Sequence, residues 1–295
     1  TWLAIIGTVM LLITFLTTKE RVVPKPEQES TLRLDLKDLF KNKPWIIMLS
    51  VTALVFVTLA MKGGSYVYYF NNYVDETALQ EFISPITNFF NSIGMNFFGE
   101  DPRSAGFGLF NAGGIIMMIV GITFSKRFAD RFGKRDTYIV SLFISTIFIL
   151  IFLMFPPKSV GLMFASQIFH GFFYGIGTPL LWAMIADVAD YSEWKNNRRA
   201  TAIIFSAMMV GLKVGLSIGS SLVALIIGKY GYISTEGALN VIQPETVSTG
   251  AKMLVSIFPS IPFFIACGLL FFYEINKKME TKIEQDLNER RKGKD

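Results

Sequence analysis

Seven long apolar runs, separated by polar segments, dominate the chain. They cover about residues 1–18, 45–70, 105–125, 137–156, 160–182, 200–228 and 253–273. A run of about 18 or more apolar residues is long enough to cross a bilayer as a helix. The composition, 52% hydrophobic and 17% charged, also departs from that of a soluble domain. We predict an all-α polytopic membrane protein with about seven transmembrane helices, the first of them truncated.

The polar segments predict how the runs are grouped. Residues 19–44 are rich in Pro, Glu and Lys and then become amphipathic, as expected of a linker between two bundles that ends in a surface helix. Residues 1–18 would then end an N-terminal bundle, residues 45–273 would form a six-helix bundle, and residues 274–295 a tail. Segment 71–104 is the longest loop, and its aromatic residues suggest a cap over the bundle.

Two further patterns concern the tail and the flexibility of two of the predicted helices. Acidic and basic residues alternate at helical spacing in the tail, which predicts a solvated helix. Glycine and proline residues within the fifth and the last run are expected to loosen those helices, a property that suits alternating access. They are Gly175, Gly177, Pro179, Pro259 and Pro262.

The positive charges predict an orientation in the membrane. Of the 28 Lys and Arg residues, 22 lie in alternate segments, namely 19–44, 126–136, 183–199 and the tail, and four lie in the segments between them. Cytoplasmic loops carry an excess of Lys and Arg. We therefore expect a cytoplasmic C-terminus, and the pI of 9.1 reflects this topology rather than a nucleic-acid partner.

Lys213 is the most informative residue. It lies near the middle of the run 200–228, about 20 Å from either end at the helical rise, and a charge at that depth usually marks a substrate or ion pathway. Ser206, Ser217 and Ser220 fall within about 60° of it on the helix. On the opposite side, Gly211, Gly215 and Gly219 form a ridge for close packing. The pattern predicts a helix that lines a wet cavity, and a buried salt bridge is the alternative.

Two charged segments are candidates for a cytoplasmic gate. Asp187 and Asp190 are three residues apart and share a helix face, and Arg199 follows on the side of Lys213. Such groups could latch two bundles together, or they could simply anchor the helix at the interface. Asp130 and Arg131 belong to a basic turn, residues 126–136, which has the same two interpretations.

Aromatic residues near the end of the second run are candidates for sugar binding. Tyr66, Tyr69 and Tyr73 share one face, and phenol rings stack on sugars and bond to their hydroxyl groups. An aromatic belt at the membrane surface explains them equally well. Lys62, about 12 Å from the outer end of the run, is close enough for its amine to snorkel to water.

The remaining chemistry is sparse. His170 is the only histidine, so it is either a hydrogen-bonded packing residue or part of a proton relay, and no metal site is expected in this fragment. The lone Cys267 can form no internal disulfide. We find no phosphate-binding loop, metalloprotease motif or nucleophile elbow, and we expect no enzyme.

The segment 184–195, MIADVADYSEWK, together with Lys213 in the next run, resembles the glycoside–pentoside–hexuronide:cation symporters of the major facilitator superfamily. The resemblance covers the chain except for segment 71–104, and Ser192 stands where the family more often has glycine. It implies a major facilitator-type bundle that imports a sugar, glycoside or hexuronide together with Na⁺, Li⁺ or H⁺. The expected location is the plasma membrane, which in a bacterium is the inner membrane.

The resemblance also assigns roles to residues. Lys213 matches the family's essential lysine near the sugar site, and Asp187, Asp190 and Arg199 match gate positions. The coupling cation would be bound mainly by the N-terminal half, which is missing here. No other cofactor is implied, and the full-length chain is expected to function as a monomer. Two alternatives stay open: a facilitator that carries a lysolipid, and a sensor or scaffold that transports nothing.

Overall fold

The structure, a computed structural model, describes residues 2–18, 39–94, 101–196, 201–234 and 242–292. Helices account for most of these residues, and no strand occurs among them. In chain order they are α1 (Trp2–Thr17), α2 (Lys43–Asn72), α3 (Glu76–Ser92), α4 (Pro102–Phe132), α5 (Lys134–Leu150), α6 (Val160–Asn196), α7 (Thr201–Lys229), α8 (Glu245–Val255), α9 (Ile257–Leu270) and α10 (Lys277–Lys292). A 3₁₀ turn, Ile151–Met154, extends α5.

Six helical segments within the described part are long and apolar enough to cross a membrane. They are α2, α4, α5 with its 3₁₀ turn, α6, α7 and the α8–α9 pair. Each corresponds to one of the predicted runs after the first, so the all-α prediction is confirmed. The first run forms α1, a shorter apolar helix of 16 residues, none of which is buried. That it ends another bundle stays a prediction, and most of the predicted linker lies outside the described residues.

Two boundaries differ from the predicted runs. Helix α6 continues to Asn196, well past the predicted end at residue 182. A helix that extends beyond the hydrocarbon core of a membrane can keep its backbone hydrogen bonds and expose polar side chains to water. The last run is broken at Ser256 (φ −118°, ψ −79°) rather than at a proline. Pro259 lies in the first turn of α9, where the missing N–H has no intrahelical partner in any case.

The glycines of α6 serve packing and do not interrupt the helix. Gly175 faces the carbonyl oxygen of Met118 on α4, and a Cβ there would overlap it. A Cβ on Gly177 would lie 2.8 Å from Ser141 Oγ on α5. Helix α6 is continuous through both positions and through Pro179, and that these residues loosen it stays a prediction.

The long loop after α2 contains a helix of its own. Asp75 caps α3 by accepting a hydrogen bond from the Ala78 N–H (2.9 Å), and Leu79 and Ile83 are its buried residues. Leu79 packs against Gly106 of α4, whose Cβ would lie 2.8 Å from it. This helix therefore covers one end of the bundle, and we call that end, with the turn 156–159, the capped end.

The other end carries the basic turn 126–136, the last turns of α6 and the tail helix α10, and we call it the basic end. The predicted tail helix is present and most of its described side chains are exposed, but one of its faces is buried against the bundle. Ile283 and Leu287 are 3% and 4% exposed and join the main apolar core. Their spacing of four residues puts both on the face of α10 that packs against the bundle.

Candidate functional site

One face of α7 carries the predicted polar stripe. Lys213, Ser206, Ser217 and Ser220 are all exposed in the described bundle, whereas the glycines on the other face are buried. Ser217 donates a hydrogen bond to the carbonyl oxygen of Lys213 (3.0 Å), so its hydroxyl group is satisfied without a neighbouring helix. The predicted separation of a polar face from a packing face is confirmed.

The glycine ridge determines which way the polar stripe faces. A Cβ on Gly215 would overlap the carbonyl oxygen of Ala53 on α2, and one on Gly219 would overlap the carbonyl oxygen of Val57. Such direct backbone contact is possible only where side chains are absent. Because this ridge is pressed against α2, Lys213 on the opposite face points away from the bundle.

A second polar site joins Tyr66, one of the predicted sugar-binding candidates, to Lys62, which the sequence analysis had not included in a site. Lys62 of α2 is only 6% exposed, and its Nζ lies 5.5 Å from the centre of the Tyr66 ring. Tyr66 is 3% exposed and donates a hydrogen bond from its hydroxyl group to Gln167 Oε1 on α6 (3.0 Å). The expectations of a snorkelling lysine and of a tyrosine in a surface belt are therefore wrong, because both side chains turn into the bundle.

Lys62 and Tyr66 line a cavity of about 170 Å³ between α2, α4, α6 and α9. We call it the Lys62 cavity. Its polar lining comes from Lys62, Tyr66, Asn111, Gln167, His170 and Tyr174, and its apolar lining includes Leu59, Ile115, Met118 and Phe263. Leu59 and Gly63, which also lines it, are exposed, so the cavity reaches the surface of the described bundle.

Tyr69 is separated from this cavity. It is fully buried in an aromatic cluster toward the capped end and stacks on Tyr73 at 5.0 Å with 21° between the rings. It is not among the residues that line the Lys62 cavity. The two tyrosines that the sequence grouped as sugar-binding candidates thus have different surroundings, although they lie three residues apart on one helix.

His170 lines the Lys62 cavity and is hydrogen-bonded. Its Nδ1 lies 2.9 Å from Ser145 Oγ and 3.0 Å from the Ser145 carbonyl oxygen on α5, and its ring stacks on Tyr174. The interpretation as a hydrogen-bonded packing residue is confirmed. A proton relay through this histidine stays a prediction.

At the basic end, Lys134 joins three helices. Its Nζ lies 2.6 Å from Asp187 Oδ1 on α6 and 2.8 Å from Glu280 Oε1 on α10. Asp187 and Asp190 both line a pocket of about 440 Å³ beside this cluster, so the shared face that the sequence predicted is confirmed. The sequence analysis missed Lys134 and Glu280 as partners, since they lie 53 and 93 residues from Asp187 in the chain.

The other gate candidates are placed differently. Asp130 and Arg131 take part through their backbone, because Lys277 Nζ donates to their carbonyl oxygens (2.5 and 3.4 Å). The Arg131 guanidinium lies over the ring of Phe132 at 5.2 Å. Arg199 lies outside the described residues.

The tail helix is held against α6 by polar groups as well as by its apolar face. Trp194 Nε1 donates to Asp286 Oδ2 (2.8 Å), and Arg290 Nη1 donates to the Trp194 carbonyl oxygen (3.0 Å). Just before the tail, Tyr273 donates a hydrogen bond from its hydroxyl group to the carbonyl oxygen of Met184 (3.1 Å), and burial raises the pKa of this hydroxyl group. The signal that sequence reasoning passed over was the apolar stripe of the tail, Met279, Ile283 and Leu287.

Metal ligands are not clustered in the described part of the chain: no three His, Cys, Asp or Glu side chains there are grouped so as to hold an ion. What stands out instead is a pair of lysines at membrane depth, one on the exposed face of α7 and one in the Lys62 cavity.

Comparison with known proteins connects this geometry to a family. The family model for MFS/sugar transport proteins matches residues 1–100 and 95–277. The isoprimeverose transporter of Lactiplantibacillus pentosus is 26% identical over 98% of this chain and 53% of its own length. The glucuronide carrier protein homolog of Escherichia coli is 24% identical over 98% and 56%, and the inner membrane symporter YicJ of the same organism is 24% identical over 88% and 49%.

These relatives confirm the resemblance to sugar and cation symporters. The chain spans about half the length of the relatives it matches. A family match over nearly the whole chain and six apolar helices of membrane-spanning length make this an integral membrane protein. The chain therefore belongs to the MFS/sugar transport protein family, the transporters of the major facilitator type.

Proposed function

We propose that the chain forms one bundle of a secondary active transporter that imports a sugar or glycoside together with Na⁺, Li⁺ or H⁺. The observation that carries the proposal is the polar face of α7, with Lys213 at mid-span and its glycine ridge pressed against α2. A cation at that depth is costly unless it meets water, substrate or an opposite charge. A second bundle facing α7 would enclose such a wet passage.

The second bundle would supply the acids that bind the coupling cation. Lys213 would bond a substrate hydroxyl group or neutralise those acids. The basic end, with its tail, would face the cytoplasm, in keeping with the positive-inside rule, and the membrane would be a plasma membrane such as the bacterial inner membrane. One full-length chain would be the working unit.

The basic end would act as the inner gate. Lys134 pairs with acids on two helices, and Asp190 lines the adjoining pocket. A segment of the second bundle that offers basic groups could compete for Asp187 and Asp190 when the inner side closes. Relaxation of these pairs when substrate and cation are bound would allow the two bundles to separate.

The test of the transport proposal is gradient-driven uptake by the full-length protein in proteoliposomes. We expect Lys213→Ala to reduce accumulation of the transported sugar at least tenfold under an imposed Na⁺, Li⁺ or H⁺ gradient, because the passage loses its only cation on α7 at that depth. Val214→Ala is the matched control, since Val214 is the next residue, also exposed but uncharged, and it should transport like the wild type.

Normal cation-driven accumulation by Lys213→Ala would contradict the role of this lysine. The same vesicles should be offered a lysolipid. Uptake of the lysolipid without uptake of any sugar would favour a facilitator for amphiphiles, and the absence of uptake for both under all three gradients would favour a protein that does not transport.

A further inference from the structure

The Lys62 cavity contains a buried lysine amine without an acidic partner among the described residues. Lys62 is more than nine-tenths buried, and among the described residues its Nζ forms no ion pair; its polar contact is the face of the Tyr66 ring. A buried ammonium group is strongly unfavourable unless it is paired or hydrogen-bonded. A cation–π contact with one ring offsets only part of that cost.

The spans of this chain cannot supply the missing negative charge. Residues 43–74, 102–129, 137–186, 201–229 and 246–273 contain no Asp or Glu. The acidic residues of the described part lie at the basic end or at the capped end, outside the depth of Lys62. An anion that pairs with Lys62 would therefore have to enter the cavity from elsewhere.

The other polar groups of the cavity favour an anion as well. Gln167 Oε1 already accepts a hydrogen bond from Tyr66, and among the described residues the Gln167 amide nitrogen has no partner, so its two N–H donors remain for a ligand. This nitrogen lies against Gly114, where a Cβ would be 2.6 Å from it. The lining therefore offers an ammonium group and a carboxamide donor side by side, with Gly114 leaving the space for the second.

The size and the opening of the cavity suit a substituent rather than a whole ligand. A volume of about 170 Å³ would hold about five or six waters at ~30 Å³ each, which is enough for a carboxylate and part of a sugar ring. Gly63 lies at the mouth, where a Cβ would meet nothing within 4 Å. The rest of a ligand could extend through this opening toward the second bundle.

We propose that the Lys62 cavity is the subsite for the carboxylate of an acidic sugar, so that the transporter selects sugar acids over neutral sugars. This inference rests on the proposed transport function. Lys62 would pair with the carboxylate, and the Gln167 amide would donate a hydrogen bond to it. The subsite is separate from the stripe of Lys213, which lies on another helix and does not line this cavity.

The experiment compares two matched probes, a methyl glucuronide and the corresponding methyl glucoside, in binding and uptake by the full-length protein. We expect the wild type to bind the glucuronide at least tenfold more tightly than the glucoside. Lys62→Met keeps an unbranched side chain only one atom shorter but removes its amine. It should weaken glucuronide binding at least tenfold while changing glucoside binding less than twofold, and Lys62→Arg should retain most of the preference.

Lys252→Met is the matched control, because Lys252 also lies over a tyrosine ring (Tyr73, 5.2 Å) but does not line the cavity. It should leave the preference unchanged.

A second test does not depend on how Lys62→Met folds. Gly63→Leu should obstruct the mouth and weaken glucuronide binding, whereas Gly108→Leu, at another exposed glycine with open space around its Cβ, should not.

The outcomes separate this inference from the transport proposal. If the wild type transports the glucoside as well as or better than the glucuronide, or if Lys62→Met weakens both equally, the carboxylate subsite is wrong although transport stands. The second result would indicate that Lys62 pairs instead with an acid of the second bundle. If the wild type takes up neither probe nor any other sugar, the transport proposal itself fails.

Discussion

At the scale of single residues, the absence of a Cβ does more than any side chain to orient the site. Gly215 and Gly219 bring the backbone of α7 against the backbone of α2. The rotation of α7 about its own axis follows from this contact, and so does the outward direction of Lys213. Gly133 has a different task, since its φ of 90° is a left-handed conformation that allows the sharp turn from α4 to α5.

We predict that Gly215→Ala destabilises the protein by about 1–3 kcal/mol, the usual cost of overpacking. The new Cβ would overlap the carbonyl oxygen of Ala53, which belongs to the backbone, so the two helices would have to separate. Thermal unfolding of the purified full-length protein in detergent measures the effect. Gly228→Ala on the same helix meets nothing within 4 Å and should be neutral or slightly stabilising. Equal melting temperatures for the two variants would contradict the prediction.

At the scale of helices, the tail shows how a charged segment can be an integral part of a fold. Helix α10 presents many charges, but it places Ile283 and Leu287 in the core beside residues of α6. Its mean hydropathy is low because its other faces are polar. An average over the helix therefore does not reveal the apolar face that carries Ile283 and Leu287. The hydrogen bond from Trp194 to Asp286 fixes its register against α6.

We predict that Leu287→Ala undocks the tail in part. Removing a buried leucine side chain costs about 2–5 kcal/mol, and α10 has only a short apolar face with which to compensate. Amide hydrogen exchange should become at least tenfold faster in α10 and stay unchanged in α2. Gln285→Ala, at an exposed position of the same helix, is the control. Unchanged exchange in the Leu287→Ala tail would show that its polar contacts suffice to hold it.

At the scale of the whole molecule, Lys134 connects segments that are far apart in the chain. One ammonium group pairs with an acid on α6 and with another on α10, both at the end of the bundle that holds the proposed gate. Without it, Asp187 and Glu280 would be two carboxylates facing each other. The basic end is therefore arranged so that one cation holds the tail and the proposed gate in the same position.

We predict that Lys134→Met loosens the tail and alters transport together. Repulsion between the two remaining carboxylates should speed proteolysis within α10 several-fold, and the added change Glu280→Gln should restore much of the protection, because coupled neighbours are not additive. Lys126→Met, in the same basic turn but exposed and outside this cluster, should behave like the wild type. A double variant as sensitive as Lys134→Met alone would contradict the electrostatic explanation.

Much of the fold was predictable because hydrophobic length and helical periodicity are local properties. The six spans follow from their apolar runs, and the two faces of α7 follow from the spacing of residues on one helix. The boundaries of α6 and the break at Ser256 did not follow. A helix can continue into water, and a helix can end where packing, not proline, requires it.

The sequence by itself determined the helical membrane-spanning architecture, the polar stripe of Lys213 and the glycine ridge behind it, since each depends on residues within one segment. Only the tertiary structure decided that Lys62 turns into a cavity rather than toward the membrane surface, and that Lys134, Asp187 and Glu280 meet. Depth along a helix can be counted from the sequence. The direction in which a side chain points relative to other helices depends on contacts between residues that are 50 to 150 positions apart, and local patterns contain no information about them.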